Sequence, residues 1–511
     1  MNLLATLLLS QFLALGSTSN TSSVVWFGQD DLLQEIGRFI GGAIRGATGE
    51  DEPRVMQAMP AQDGAKPAER DRKELNDRMT AFARAYEAWV MKWCELTTEQ
   101  QTKLKELIDA KIVGEVEKYG KKPDPNRQNQ MLAETLPLLF TKPSGLAPDF
   151  QKELVAICKK DLLTEEQIGR LDTALKEREG FQSQSYLVYI VSILDKELFL
   201  TADQRTALVS ELGNRKTPIR HPMYAFQPQV YYLPYESMSA IVPAKVGKGI
   251  LEPTQTKRLQ DLSTEQQGGQ QLVFQTSSGR EEWDRQIAEA CASQRERYLN
   301  AAAVRVTYYE KEMQLSSEEV DHLSIAGKGA TIRALGDWKD ATRLTIEQME
   351  QQMAQMGGNF GFGAQGMDAQ TIDQNDIWTD AVSAITQGAS EDRLKQRLEA
   401  NRIATAQAVL AMLDEELWLT SDQREPLQKL VLKSLPAADF QNPYDQYMRD
   451  LILVIYPLMK VPEKSRTEVL ADPQKEVWTQ MQSYFKWQKA NNYVEIPLRN
   501  QGGSFSFSLA P

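Results

Sequence analysis

Reactive side chains are scarce in this chain. Its 511 residues include two histidines, His221 and His322, and three cysteines, Cys94, Cys158 and Cys291. Neither histidine lies in a nucleophile-elbow, phosphate-loop or zinc-helix pattern, so both read as structural or solvated residues. Three cysteines are too few for a disulfide scaffold and have no metal-ligand spacing. No catalytic, cofactor or metal constellation emerges, and the expectation is a protein that is not an enzyme and holds no cofactor.

Long apolar runs and basic clusters are missing too. The longest apolar stretch, Leu3 to Leu15, is interrupted by Thr, Ser and Gln and is too short to span a bilayer. With 58 Lys and Arg against 70 Asp and Glu, the net charge is −12, and no Lys/Arg cluster offers a face to a phosphate backbone. No nucleic acid partner and no transmembrane span are expected.

The N-terminal apolar stretch reads instead as a signal peptide. Ala14 and Gly16 place small residues for a cut after Gly16, although its n-region has neither Lys nor Arg. An exported chain, periplasmic or extracellular, is the expectation. Residues 17–70 then hold a short amphipathic helix, with Leu32, Leu33, Ile36, Phe39, Ile40 and Ala43 at helical spacing, and a linker rich in Pro, Ala and charge.

What the chain does have is repetition. LDKELFLTADQRTAL, from Leu194 to Leu208, returns as LDEELWLTSDQREPL from Leu413 to Leu427, at an offset of 219 residues that continues into Val242–Gln255 and Val461–Gln474. Inside the copy is a helix start. Thr at the N-cap accepts from the backbone N–H three residues on, Gln at N3 reaches back to the N-cap N–H, and Leu two turns along makes the first core contact.

The template Leu-Thr-x-x-Gln-x-x-x-Leu recurs. Capping residues are Thr97 with Gln100, Thr164 with Gln167, Thr201 with Gln204, Ser316 with Glu319, Thr371 with Gln374, and Thr420 with Gln423. Copies at Leu251 with Gln255 and at Leu470 with Gln474 lack the Thr. Each first box follows a long helical pattern, so the spacing predicts an all-α protein of four tandem helical units, each with a long helix and two capped helix starts. The units are 71–184, 185–280, 281–390 and 391–490, followed by a tail at 491–511. The pattern fits both an open solenoid and a closed bundle.

Two stretches break the repeat, residues 263–280 and the Gly/Met-rich 354–369, and both read as loops. In the tail, Phe505, Phe507 and Leu509 alternate with serines, a strand period at what reads as an untethered terminus. Acidic residues end the long helices, where the dipole disfavours them: Asp195 and Glu197, Glu310 and Glu312, Asp414 and Glu416. Corner salt bridges from Asp195 to Arg205 and from Asp414 to Arg424 would offset that cost. Cys94 and Cys158 both lie near helix junctions and would form a disulfide if those junctions meet; buried unpaired thiols are the other reading.

The Leu-Thr-x-x-Gln element at a break between helices resembles the LTxxQ family of periplasmic proteins, of the Spy and CpxP type. The matching residues are Leu96, Thr97 and Gln100; Leu163, Thr164 and Gln167; Leu200, Thr201 and Gln204; and Leu419, Thr420 and Gln423. The resemblance implies an ATP-independent envelope chaperone or stress-sensing protein whose partners are other proteins or unfolded clients. A structural or assembly scaffold of the envelope is the alternative.

Overall fold

The computed structural model describes residues 67–120, 148–214, 247–267, 272–275, 280–356, 361–364, 369–386, 389–435, 445–483, 486–488, 493–497 and 504–508. The expected signal peptide, the expected amphipathic helix at 24–46 and His221 lie outside them. The fold is all-α. Its helices are α1 (Pro67–Cys94), α2 (Thr98–Gly120), α3 (Pro148–Asp161), α4 (Glu165–Leu198), α5 (Ala202–Gly213), α6 (Pro253–Gln267), α7 (Arg280–Met313), α8 (Ser317–Met356), α9 (Asp376–Thr386), α10 (Ala389–Leu417), α11 (Ser421–Ser434), α12 (Asp445–Lys460), α13 (Glu463–Val469) and α14 (Asp472–Ser483).

Helices start where the caps are. α2, α4, α5, α6, α8, α11 and α14 each begin one residue after the cap position of a box. The remaining box departs: Thr371 falls in a 3-10 turn, Ala369–Ile372, and α9 starts only at Asp376. There Asn375, a stronger N-cap than Thr, accepts from the Ile377 N–H at 3.1 Å, so Thr371 and Gln374 do not cap the helix. A second departure concerns unit boundaries, since α4 runs unbroken from the box at Thr164 through position 184/185 to Leu198.

The long helices end alike. Glu95, Phe199, Gln314 and Trp418 are the only non-glycine residues with positive φ among the described residues, at 47–53°. Each directly precedes the Leu of a first box. A left-handed non-glycine residue costs roughly 1–2 kcal/mol, yet no glycine occupies any of these sharp corners.

The offset of 219 relates most of α1–α6 to α7–α14, except that the boxes at Thr164 and Thr371 stand 207 residues apart. Leu96 maps onto Leu315 and Leu200 onto Leu419, dividing the described body into half A (residues 67–267) and half B (residues 280–483). The halves face each other. α4 packs along α10, while α1 packs on α14 and its counterpart α7 packs on α6. The main core therefore mixes both ends of the chain, with Phe82, Tyr86 and Leu104 in one cluster with Trp418, Tyr456 and Trp478. The first and last of the described helices share a core, so the described body is closed on itself and not an open solenoid.

The repeat-breaking stretches meet. Strand β1 (Leu272–Gln275) pairs antiparallel with β2 (Gly361–Ala364), with Phe274 opposite Phe362, so these are not two independent loops. The tail is tied down as well: β3 (Lys486–Gln488), β4 (Tyr493–Pro497) and β5 (Ser504–Ser508) form a three-stranded antiparallel sheet in which Val494 faces Phe507. A strand-period segment satisfies its backbone groups on a neighbouring edge sooner than in water alone.

Candidate functional site

Three of the box pairs close on one another through their glutamines. In the first, Gln100 Oε1 accepts from the Thr97 N–H at 3.0 Å and Gln167 Oε1 from the Thr164 N–H at 3.0 Å, which is the ordinary capping box. The free ends of the two amides then bind each other. Gln100 Nε2 donates to Gln167 Oε1 at 2.8 Å, Gln167 Nε2 to Gln100 Oε1 at 3.1 Å. Each Nε2 also donates to a backbone carbonyl left open by the other junction, Leu162 at 3.0 Å and Cys94 at 3.1 Å.

The same clasp joins Gln204 to Gln255 and Gln423 to Gln474, with Nε2 to Oε1 distances between 2.8 and 3.1 Å. Gln255 Nε2 donates to the Leu198 carbonyl at 2.9 Å, Gln474 Nε2 to the Leu417 carbonyl at 3.0 Å. Both donors and the carbonyl oxygen of every amide are used. That is why the motif needs Gln: Glu would cap equally well but has no hydrogen to give.

The junction at Ser316 shows the contrast. Glu319 accepts from the Ser316 N–H at 2.8 Å and from its hydroxyl at 2.7 Å, and Gln374 is exposed. Here the tie is ionic. Arg305, buried in α7, binds Asp373 in the second box through two bonds of 2.6 and 2.5 Å.

The buried aspartates form the second part of the site. Asp195 and Asp414 are completely buried. Asp195 Oδ1 accepts from the Leu200 N–H at 2.7 Å, and Asp414 Oδ1 from the Leu419 N–H at 2.7 Å. Each carboxylate thus satisfies a backbone donor left open by the left-handed residue, which accounts for an acid near a helix C-terminus.

Their counter-charges come from the opposite half. Arg397 Nε donates to Asp195 Oδ2 at 3.0 Å, its Nη2 binds the Asp195 carbonyl, and Asn401 adds a bond of 3.2 Å. Arg178 Nε lies 3.1 Å from Asp414 Oδ2, its Nη2 donates to the Asp414 carbonyl at 2.5 Å, and Gln182 adds a bond of 2.9 Å. Arg178 stacks 3.9 Å above the ring of Trp418, and Arg397 3.9 Å above Phe199. Two of the four left-handed corner residues, Phe199 and Trp418, are thus aromatic platforms for the arginines of the other half.

Of the two expected corner salt bridges, Asp195 with Arg205 is present and Asp414 with Arg424 is not. Arg205 reaches Asp195 only at 3.5 Å and donates chiefly to the Leu200 carbonyl at 2.9 Å. Arg424 does not pair with Asp414. It binds Glu177 of α4 at 2.9 Å and lies over Phe181, because Arg178 already occupies the carboxylate.

Cys94 and Cys158 are buried in one cluster but remain free thiols. Their sulfurs are engaged separately: Tyr86 Oη donates to Cys158 Sγ at 3.5 Å, and Cys94 Sγ donates to the Gln167 carbonyl at 3.7 Å. Burial pushes the Cys94 thiol up to about 11 and also raises Cys158, so neither is an activated nucleophile. His322 is exposed on α8. No group of three His, Cys, Asp or Glu residues placed to hold a metal ion occurs among the described residues.

The sequence pointed to the caps but not to Arg178, Arg397, Gln182, Asn401 or Arg305. One signal was available: Arg178 and Arg397 stand at the same 219 offset as Asp195 and Asp414. No family model, curated protein or solved structure matches this chain.

Proposed function

We propose that the chain is a non-enzymatic, exported helical-repeat protein that binds other proteins, as an ATP-independent chaperone or stress-sensing protein of the envelope. The observation that carries this reading is an apolar patch on half B. Ile325 and Ile332, seven residues apart on α8, are 67% and 53% exposed. Between them, one turn from each, lies Gly329, whose missing side chain would meet Ile377 of α9 at 3.4 Å. Ile377 is itself 38% exposed.

Three partly exposed isoleucines are thus grouped about one glycine, and exposed apolar surface is what a protein-binding site presents. Such a surface suits apolar side chains of an unfolded client, taken up without directional bonds. Lys328 and Arg333 stand exposed beside it, which admits acidic client segments.

The test is suppression of aggregation of a chemically denatured protein by the chain without ATP. Suppression by the wild type, lost in Ile325→Glu/Ile332→Glu with the fold intact by circular dichroism, is the expected result. No suppression at several-fold excess of the wild type, or full suppression by the variant, would contradict it. The scaffold reading rests on the C-terminal sheet, whose strand β5 has one edge open among the described residues; deletion of residues 500–511 with loss of assembly but not of suppression would favour it.

A further inference from the structure

The 219-residue offset matches two helix faces that turn to solvent, one in each half. Glu106, Ala110, Val113 and Glu117 of α2 correspond to Ile325, Gly329, Ile332 and Gly336 of α8. Steps of four, three and four residues keep each set on one side of its helix. Seven of these eight positions are exposed, and Gly329 is half-buried. Val113, 55% exposed, is the one large apolar residue exposed in half A among the described residues, and its counterpart is Ile332.

The two faces are opposite in charge. From Glu106 to Glu117 stand four acids and one base, Lys111, which binds Glu115 at 3.0 Å. From Ile325 to Gly336 stand two bases, Lys328 and Arg333, and no acid. Asp109 is held by Arg84 at 2.6 Å, whereas Glu106 and Glu117 reach into solvent.

They are also opposite in shape. On α8 two isoleucines stand on either side of Gly329, with open space beside Gly336. On α2 the centre of the face is Ala110 and Val113. Large side chains pack best against small ones across a helix pair. Laid antiparallel with Val113 over Gly329, the helices bring Ile332 over Ala110, Glu106 toward Arg333 and Glu117 toward Lys328. In the parallel sense Val113 would meet Ile332, large against large.

We infer that the apolar face of α8 is a docking site for the α2 face of a second copy of the chain. The contact is heterologous, so a molecule engaged through α8 still offers its own α2, and association continues unless it closes into a ring. Docking requires no client, and its failure leaves the function proposed above standing. That docking would close the isoleucine patch to clients rests on that function.

A charge exchange in the full chain tests the contact by sedimentation velocity at low ionic strength, with no client present. The wild type should associate as its concentration rises and dissociate in about 1 M salt, where the screening length falls to about 3 Å. Glu106→Lys/Glu117→Lys leaves both faces basic, and Lys328→Glu/Arg333→Glu leaves both acidic. Each variant alone should stay a monomer, and an equimolar mixture should associate again. A wild type that is monomeric up to ~1 mM, variants that associate as it does, or a mixture that stays monomeric would overturn the inference. Should circular dichroism show that either variant does not fold, the salt series decides alone, and association unchanged in about 1 M salt overturns it.

Discussion

The junctions at Gln204 and at Glu319 open with the same capping chemistry and end with different ties. At the first, Gln204 caps Thr201 and then clasps Gln255, which is 1% exposed. At the second, Glu319 caps Ser316 and stops, while Gln374 faces solvent. The cap is therefore not what joins one helix start to the next. The joining is done by the second hydrogen of an amide, and where a carboxylate replaces it, Arg305 and Asp373 supply a different tie. A motif legible as a local helix signal is, in three of its pairs, a long-range connector.

The largest expected effect lies at the clasped junctions. Arg397→Ala leaves Asp195 buried without its main counter-charge, and breaking a buried pair from one side costs about 3–5 kcal/mol. Urea unfolding followed by tryptophan fluorescence should show it, and Arg424→Ala, whose partner Glu177 is 43% exposed, should show about 1 kcal/mol or less. Equal losses would mean that the exchange of charges between halves is not what secures them.

Next comes the glutamine itself. Gln255→Glu keeps the cap but removes both donors, leaves the Leu198 carbonyl without its bond, and places a carboxylate against Gln204 Oε1. A loss of about 2–3 kcal/mol is expected. Gln374→Glu, the same change at the unclasped junction, should stay within about 0.5 kcal/mol. By contrast, Thr201→Ala and Ser316→Ala should each cost about 1 kcal/mol, because capping is what the two junctions share.

The smallest effect is a pH dependence. The hydroxyl of Thr420 and the ammonium of Lys92 hold the Asp422 carboxyl below its usual range. A depressed folded-state pKa contributes stability above the unfolded value, near 3.8, that is lost as pH falls through the folded value. Asp422→Asn should reduce the slope of stability against pH below about 4, and only slightly, since the pair is largely exposed. An unchanged slope would show that Lys92 does not act across the halves.

The helical class and most helix starts were legible because caps are local: Thr, Ser, Gln and Glu act within one turn. The start of α9 was misplaced because Thr371 and Gln374 satisfy the local box rule, while Asn375, the stronger cap four residues on, takes the Ile377 N–H. Of the corner salt bridges drawn ten residues apart, Asp195 with Arg205 forms, but Arg424 goes to Glu177 instead of Asp414. The arginine that Asp195 meets most closely lies 202 residues away, and periodicity does not say that two copies face each other. Nor did the left-handed corners announce themselves, since Phe199 and Trp418 occupy them where glycine would be the usual signal.

The most direct test of the central claim is a pair of double-mutant cycles by urea unfolding, Gln204→Ala with Gln255→Ala, and Glu319→Ala with Gln374→Ala. The clasp predicts a coupling of about 1 kcal/mol or more in the first cycle, within the range for contacting residues, and additivity within about 0.3–0.5 kcal/mol in the second. Additivity in both, or equal coupling in both, would contradict the account and return the glutamines to the role of simple helix caps.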